Sequence, residues 1–224
     1  EDSTIDADKL GAALRRQLRP LSAPSLQKTR QEYAARQVPE MPRYLIFEPV
    51  GGVCGRRCPF CTINVMKRYN PDGSLAKPGM MKWSTLVKLM TEFGEWGQAY
   101  GCSAYQLGEP LDYIVRDEQG HRKDIADLVD LAKKTGRFKI VNVSTHGDIP
   151  AERFTRLLEC DLDDLIISID GVTAETYSAN RPATSGRDEG VFERTVGRVR
   201  AFLAKKAESG EPKPFVRMQV INKE

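Results

Sequence analysis

Three of the chain's five cysteines, Cys54, Cys58 and Cys61, fall within eight residues as C-x3-C-x2-C, while Cys102 and Cys160 stand apart. Thiolates at that spacing bind soft metals, but three are one too few for a closed structural zinc site or a fully ligated iron-sulfur cluster, each of which takes four. The natural inference is a metal position left open, as in a 4Fe-4S cluster with one iron free to bind something other than protein. A zinc knuckle completed by a histidine or a distant cysteine is the competing reading, although His121 and His146 lie far along the chain and at no zinc-finger spacing. Glu109, in Gly108-Glu109-Pro110, is a carboxylate beside a glycine, which suits a cation lying close to backbone or else a plain turn. Arg181 brings a planar guanidinium that pairs with carboxylates. His146 titrates near neutrality and reads either as an acid or base facing a substrate or as a hydrogen-bonded structural residue.

From Arg43 onward, strand and helix signals alternate. Strands are predicted over 44–48, 104–107, 139–145, 164–170 and 215–221. Between them, Leu86, Leu89, Met90, Phe93 and Trp96 follow the helical period with Ser84 as a candidate N-cap. Ile125, Leu128, Val129 and Ala132 line one face of a helix over 123–134, and Phe154, Leu157 and Leu158, then Val196, Val199, Phe202 and Leu203, mark two more. Such alternation predicts an α/β fold of right-handed parallel βαβ units, as a barrel or as an open doubly wound sheet. One phase of the strands is polar: Glu48, Gln106, Asn142, Ser144, Ser168, Asp170, Arg217 and Gln219. In a βα barrel those residues would face a shared interior, with function gathered at the C-terminal rim. Residues 1–42 read as an N-terminal helix (Leu10, Leu14, Leu18) and a proline-broken linker, and 43–224 as the core domain.

The 224 residues carry 34 Lys+Arg against 31 Asp+Glu, with basic pairs interleaved with acids, so no nucleic-acid partner is indicated. No apolar run approaches the ~20 residues of a membrane span, and clustered cysteines in odd number are unlike a secreted disulfide framework. The expectation is a cytoplasmic protein without a membrane partner.

With Phe60 directly before the last cysteine, the loop resembles the cluster motif of the radical S-adenosylmethionine (radical SAM) superfamily. The resemblance implies a 4Fe-4S cluster on Cys54, Cys58 and Cys61, with SAM chelating the open iron through its amino and carboxylate groups. Reductive cleavage of SAM would then give a 5′-deoxyadenosyl radical that takes hydrogen from an unactivated carbon. Gly108-Glu109-Pro110 looks like the motif that accepts the SAM amino group. Ser144-Thr145-His146-Gly147 resembles a Ser/Thr-Asn-Gly segment with His146 where Asn is usual. Ser168-Ile169-Asp170-Gly171, Tyr177 and Arg181 resemble the SPASM and twitch branch, implying Ser168 on the ribose and Arg181 on the SAM carboxylate, with Asp170 and Tyr177 shaping the turn. Gly79-Met80-Met81-Lys82 echoes the same branch, its methionines serving packing. Phe60, Gly108, Glu109, Pro110, Ser144, Ser168, Arg181 and Gln219 make up the candidate cofactor-binding set, and His146 the candidate catalytic residue. The implied fold is a (βα)6-type partial TIM barrel, here truncated after its fifth strand, so that a sixth strand and any auxiliary Fe-S clusters would lie outside this sequence. The implied activity is that of a radical SAM oxidoreductase maturing or epimerising a peptide, with flavodoxin or ferredoxin as electron donor. Dehydrogenation or epimerisation of a sugar or aminocyclitol is the alternative, and a non-catalytic zinc-binding scaffold the alternative of another class.

Overall fold

The computed structural model describes residue 31 and residues 43–64, 77–95 and 100–221. The N-terminal helix predicted around Leu10 and the position of Trp96 lie outside the described residues, and Arg43–Glu224 forms a compact unit of its own.

Chain order begins with β1 (Tyr44–Ile46) and β2 (Val50–Gly51), then β3 (Gly79–Met80), α1 (Trp83–Glu95) and β4 (Gly101–Ser103). A hairpin of β5 (Ile114–Arg116) and β6 (Arg122–Asp124) leads into α2 (Ile125–Lys134), followed by β7 (Ile140–Thr145) and α3 (Ala151–Thr155). The remainder is β8 (Asp164–Ser168), α4 (Ala174–Asn180), α5 (Val191–Ser209) and β9 (Phe215–Gln219). Five strands form one parallel sheet in the order β1-β4-β7-β8-β9, the α/β architecture expected of a partial barrel.

Register separates the two faces. Ser103 pairs with Asn142 and Asn142 with Asp164, while Ser144 pairs with Ile166, Ile166 with Arg217, and Ser168 with Gln219, so these polar residues share one phase. On the opposite phase the central strands' Cys102, Val141, Val143, Leu165 and Ile167 are fully buried and pack on the helices. Leu86 and Met90 of α1, Leu128 and Val129 of α2, and Val199 and Phe202 of α5 close that core. Phe154 stacks on Phe202 with ring centroids 4.4 Å apart.

The second strand lies earlier than the expected 104–107. Gly101 looks like a strand breaker, yet a Cβ there would come within 2.8 Å of the Tyr44 ring and 3.0 Å of Ile140 O, so only glycine lets β4 lie between its neighbours. Gln106 is consequently exposed and outside any strand, and Ser103 takes the inward polar position instead. α1 begins at Trp83, which puts Ser84 inside the helix rather than at its N-cap. The helix expected from 123 starts at Ile125 because Asp124 caps it, its side chain accepting from the Ala126 and Asp127 amides while Asp127 reaches back to the Asp124 amide. The β5–β6 hairpin was not among the expected elements.

Candidate active site

The cysteine loop leaves β2 and is fastened by backbone on two sides. Val53 O accepts from the Glu109 amide at 2.9 Å. On the other side the Arg57 amide donates to Pro182 O at 2.8 Å, the Thr184 amide donates to Gly55 O at 3.0 Å, and the Thr184 hydroxyl donates to Cys54 O at 3.2 Å. The segments carrying Glu109 and Arg181 thus flank the loop. Within it the Cys61 amide donates to Cys58 O, and the Arg56 amide donates to Cys54 Sγ at 3.4 Å. None of the five cysteines forms a disulfide. Among the described residues no three Cys, His, Asp or Glu side chains gather closely enough to hold a metal ion. The loop's claim on a metal therefore rests on its donor chemistry. Burial pushes the Cys54 thiol up to about 12 and raises Cys58 as well, so both stay protonated until a cation makes the thiolate favourable.

Glu109 is 2% exposed. Its Oε1 accepts from the Leu111 amide at 3.1 Å, capping the short turn Pro110–Asp112, and its Oε2 accepts from the His146 amide at 2.9 Å. Burial lifts its carboxyl to about 7, against hydrogen bonds from the His146 amide, the Thr145 hydroxyl and the Leu111 amide. Gly108 has no substitute here, since a Cβ would sit 2.1 Å from Val50 O. Pro110 is buried.

His146 is 5% exposed, and its Nδ1 accepts from the Asp148 amide at 3.1 Å, which leaves the proton of the neutral ring on Nε2. That nitrogen stands 3.3 Å from Glu109 Oε2, and the nearest side-chain atom to a Cβ built on Gly55 is the same Nε2, at 4.0 Å. Burial, with Arg56 and Arg181 nearby, pushes the imidazole down to about 3. Its buried Nε2 makes no hydrogen bond among the described residues.

Arg181 caps the C-terminus of α4, its Nε donating to Asp170 Oδ2 at 2.6 Å, and its guanidinium carbon lies 5.9 Å from the Phe60 ring centroid. Asp170 also accepts from the Ile221 amide at 2.7 Å and shapes the turn, as its neighbour Gly171 must, because a Cβ on Gly171 would lie 2.3 Å from the Tyr177 amide nitrogen. Tyr177 is fully buried, its hydroxyl 3.4 Å from Thr195 Oγ1. Ser168 ends β8 opposite Gln219, whose carbonyl accepts from the Ile169 amide at 2.9 Å and whose side chain is exposed. Ser144 is half-buried on the same polar phase.

The fold thus gathers Phe60, Arg181 and Cys58 on one side of the loop and Glu109 with His146 on the other. Ser144, Ser168 and Gln219 stand along the sheet's polar phase. Sequence reasoning passed over Thr145, Arg56 and Asp148. Thr145 had no signal beyond its place in the segment of His146, and Arg56 and Asp148 are 92 residues apart, a pairing that only the fold reveals.

The radical SAM superfamily profile matches residues 49–201. Streptococcus suis SuiB bound to S-adenosylmethionine superposes with a TM-score of 0.57 at 16% identity, over 96% of this chain and 44% of that one. SuiB bound to its precursor peptide SuiA gives 0.57 at 15% identity, over 92% and 40%. Native anSMEcpe with bound AdoMet gives 0.54 at 19% identity, over 80% and 44%. The chain spans less than half the length of these solved proteins, and no curated protein sequence matches it. At such identities the structural likeness carries the fold, and the family rests on the profile, which covers two thirds of the sequence from the cysteine loop into α5. The chain belongs to the radical SAM superfamily, whose members use a 4Fe-4S cluster and S-adenosylmethionine.

Proposed function

We propose that residues 43–224 are the radical-generating core of a radical SAM oxidoreductase of the SPASM/twitch branch that acts on a peptide, with residues 1–42 as an appended segment. The observation that carries this reading is the flanking of one three-cysteine loop by Glu109, whose amide donates to Val53 O, and Arg181, whose neighbour Pro182 accepts from the Arg57 amide and whose guanidinium lies beside Phe60. Cys54, Cys58 and Cys61 would hold the cluster, leaving one iron for SAM. Glu109 retains free lone pairs for an ammonium group after accepting its backbone donors, and Arg181 keeps Nη donors for a carboxylate after committing Nε to Asp170. Ser168 would meet the ribose, Gln219 would complete the cofactor-binding set, and His146 is the candidate catalytic residue. When bound, the cluster and SAM supply a 5′-deoxyadenosyl radical, which removes hydrogen from the substrate. The chain's own task is to align that substrate and exclude water.

A peptide substrate is favoured because SuiB is seen with a precursor peptide and anSMEcpe with bound peptides. Flavodoxin or ferredoxin would supply the electron, and the absence of disulfides among five cysteines suits a reducing cytoplasm. No described helix is long and apolar enough to cross a membrane. The deciding experiment is anaerobic reconstitution with iron and sulfide. The expected product absorbs at around 400 nm, as thiolate-ligated clusters do, and converts SAM to 5′-deoxyadenosine and methionine when reduced. A colourless protein holding one zinc and leaving SAM intact would refute the proposal.

A further inference from the structure

Arg56, between Cys54 and Cys58, is only 4% exposed, so its guanidinium must be neutralised inside the protein. It meets the Asp148 carboxylate through Nη2, donates from Nη1 to Arg181 O at 3.5 Å, and lies 5.9 Å over the Tyr177 ring. Among the described residues its Nε has no acceptor, which leaves Asp148 as the anion that makes its burial tolerable. Asp148 is itself clamped from the far side: Arg194 grips both carboxylate oxygens at 2.9 and 3.1 Å, and Arg198 donates to Oδ1. Its amide donates to His146 Nδ1, the bond that sets the tautomer beside Glu109. One residue therefore touches the cysteine loop, the His146–Glu109 pair and α5.

We propose that Asp148 is a positioning residue: through Arg56 it holds the cysteine loop against the barrel in the closed conformation seen here, using α5 as the anchor. This deepens the reading above, since the loop it holds is the one proposed to carry the cluster. A loop pinned by a buried, charge-assisted contact opens rarely, and Cys58, its one buried cysteine, is modified only during openings. Removing either partner makes opening more frequent at Cys58 without loosening β4, where Cys102 is fully buried.

The test is iodoacetamide labelling of the metal-free full chain, resolved by cysteine. Arg56→Ala and Asp148→Asn should each raise the labelling of Cys58 relative to Cys102 by roughly tenfold or more. The double variant should do no more than the larger single, because both break the same contact. An unchanged ratio, a rise shared by Cys102, or additive effects would overturn the proposal. Should Asp148→Asn fail to fold, the ratio in Arg56→Ala decides alone. Variants that show the shift, together with a wild-type chain that incorporates no iron and sulfide, would overturn the cluster reading while leaving the role of Asp148 standing.

Discussion

Glu109 and His146 are a buried carboxyl and a buried imidazole within 3.3 Å, and they respond to pH in opposite senses. Glu109 titrates at about 7 when folded against an ordinary 4.5, so in that window the native state holds more protons than the unfolded one, and stability falls as pH rises. His146 titrates at about 3 against an ordinary 6.5, so the unfolded state holds more protons there, and stability falls as pH drops below 6.5. Between about 4.5 and 6.5 the two slopes oppose each other. Glu109→Gln should therefore unmask the histidine, giving a melting temperature that declines from pH 6.5 to 5 more steeply than the wild type's; equal slopes would refute the assignment. In the proposed SAM site the same variant removes a charge-assisted contact and should weaken SAM binding by about ten- to a hundredfold by calorimetry with the cluster retained. Arg181→Ala is a less clean probe. It strips the cation from Asp170, whose side chain is fully buried, and should cost about 3 kcal/mol or more in denaturant unfolding, whatever it does to SAM.

At the scale of elements, the connections that carry the site tolerate little added volume. Gly108→Ala puts a methyl against Val50 O, so the turn bearing Glu109 must move away from β2. It should weaken SAM binding by about tenfold or more while the iron content holds, since the displaced turn carries no cysteine. In the core beneath, Phe154→Ala removes the ring stacked on Phe202 and should lower unfolding free energy by about 3–5 kcal/mol, a loss that stabilised cores elsewhere in the chain cannot mask in a denaturant titration. The sequence pattern located four of the five sheet strands because their helix-facing phase is apolar, and it marked Asn142, Ser144, Ser168, Arg217 and Gln219 as one phase, which register bears out. It misplaced β4 because the glycine at its start is required by the Tyr44 ring, a neighbour 57 residues away in sequence. The β5–β6 hairpin went unread although its turn is written in Asp117, which accepts from the Gln119 and His121 amides, and in Gly120 at φ 85°. Asp148 was illegible for a different reason: a carboxylate that binds three arginines from two distant segments has no local signature.

For the molecule as a whole, the parallel sheet presents a polar phase away from its helices, and the loops after its strands carry Glu109 and His146, with the Glu109 amide fastened to the cysteine loop. That loop is fastened to its neighbours by Val53–Glu109, Arg57–Pro182 and Gly55–Thr184 backbone hydrogen bonds, none of which involves a metal. Small metal domains whose loops lack such partners fold only as the ion arrives, and chelators denature them. These contacts predict the opposite order of assembly: the polypeptide is completed first and filled afterwards, and a cluster lost to oxygen leaves a reloadable vessel instead of an unfolded chain. Chelation of the loaded protein should accordingly lower its melting temperature only by the amount that ligand linkage supplies, with circular dichroism unchanged at 25 °C, and iron and sulfide added afterwards should restore the absorption without a refolding step. Loss of helical signal on chelation would show that the hydrogen bonds around Gly55 do not suffice.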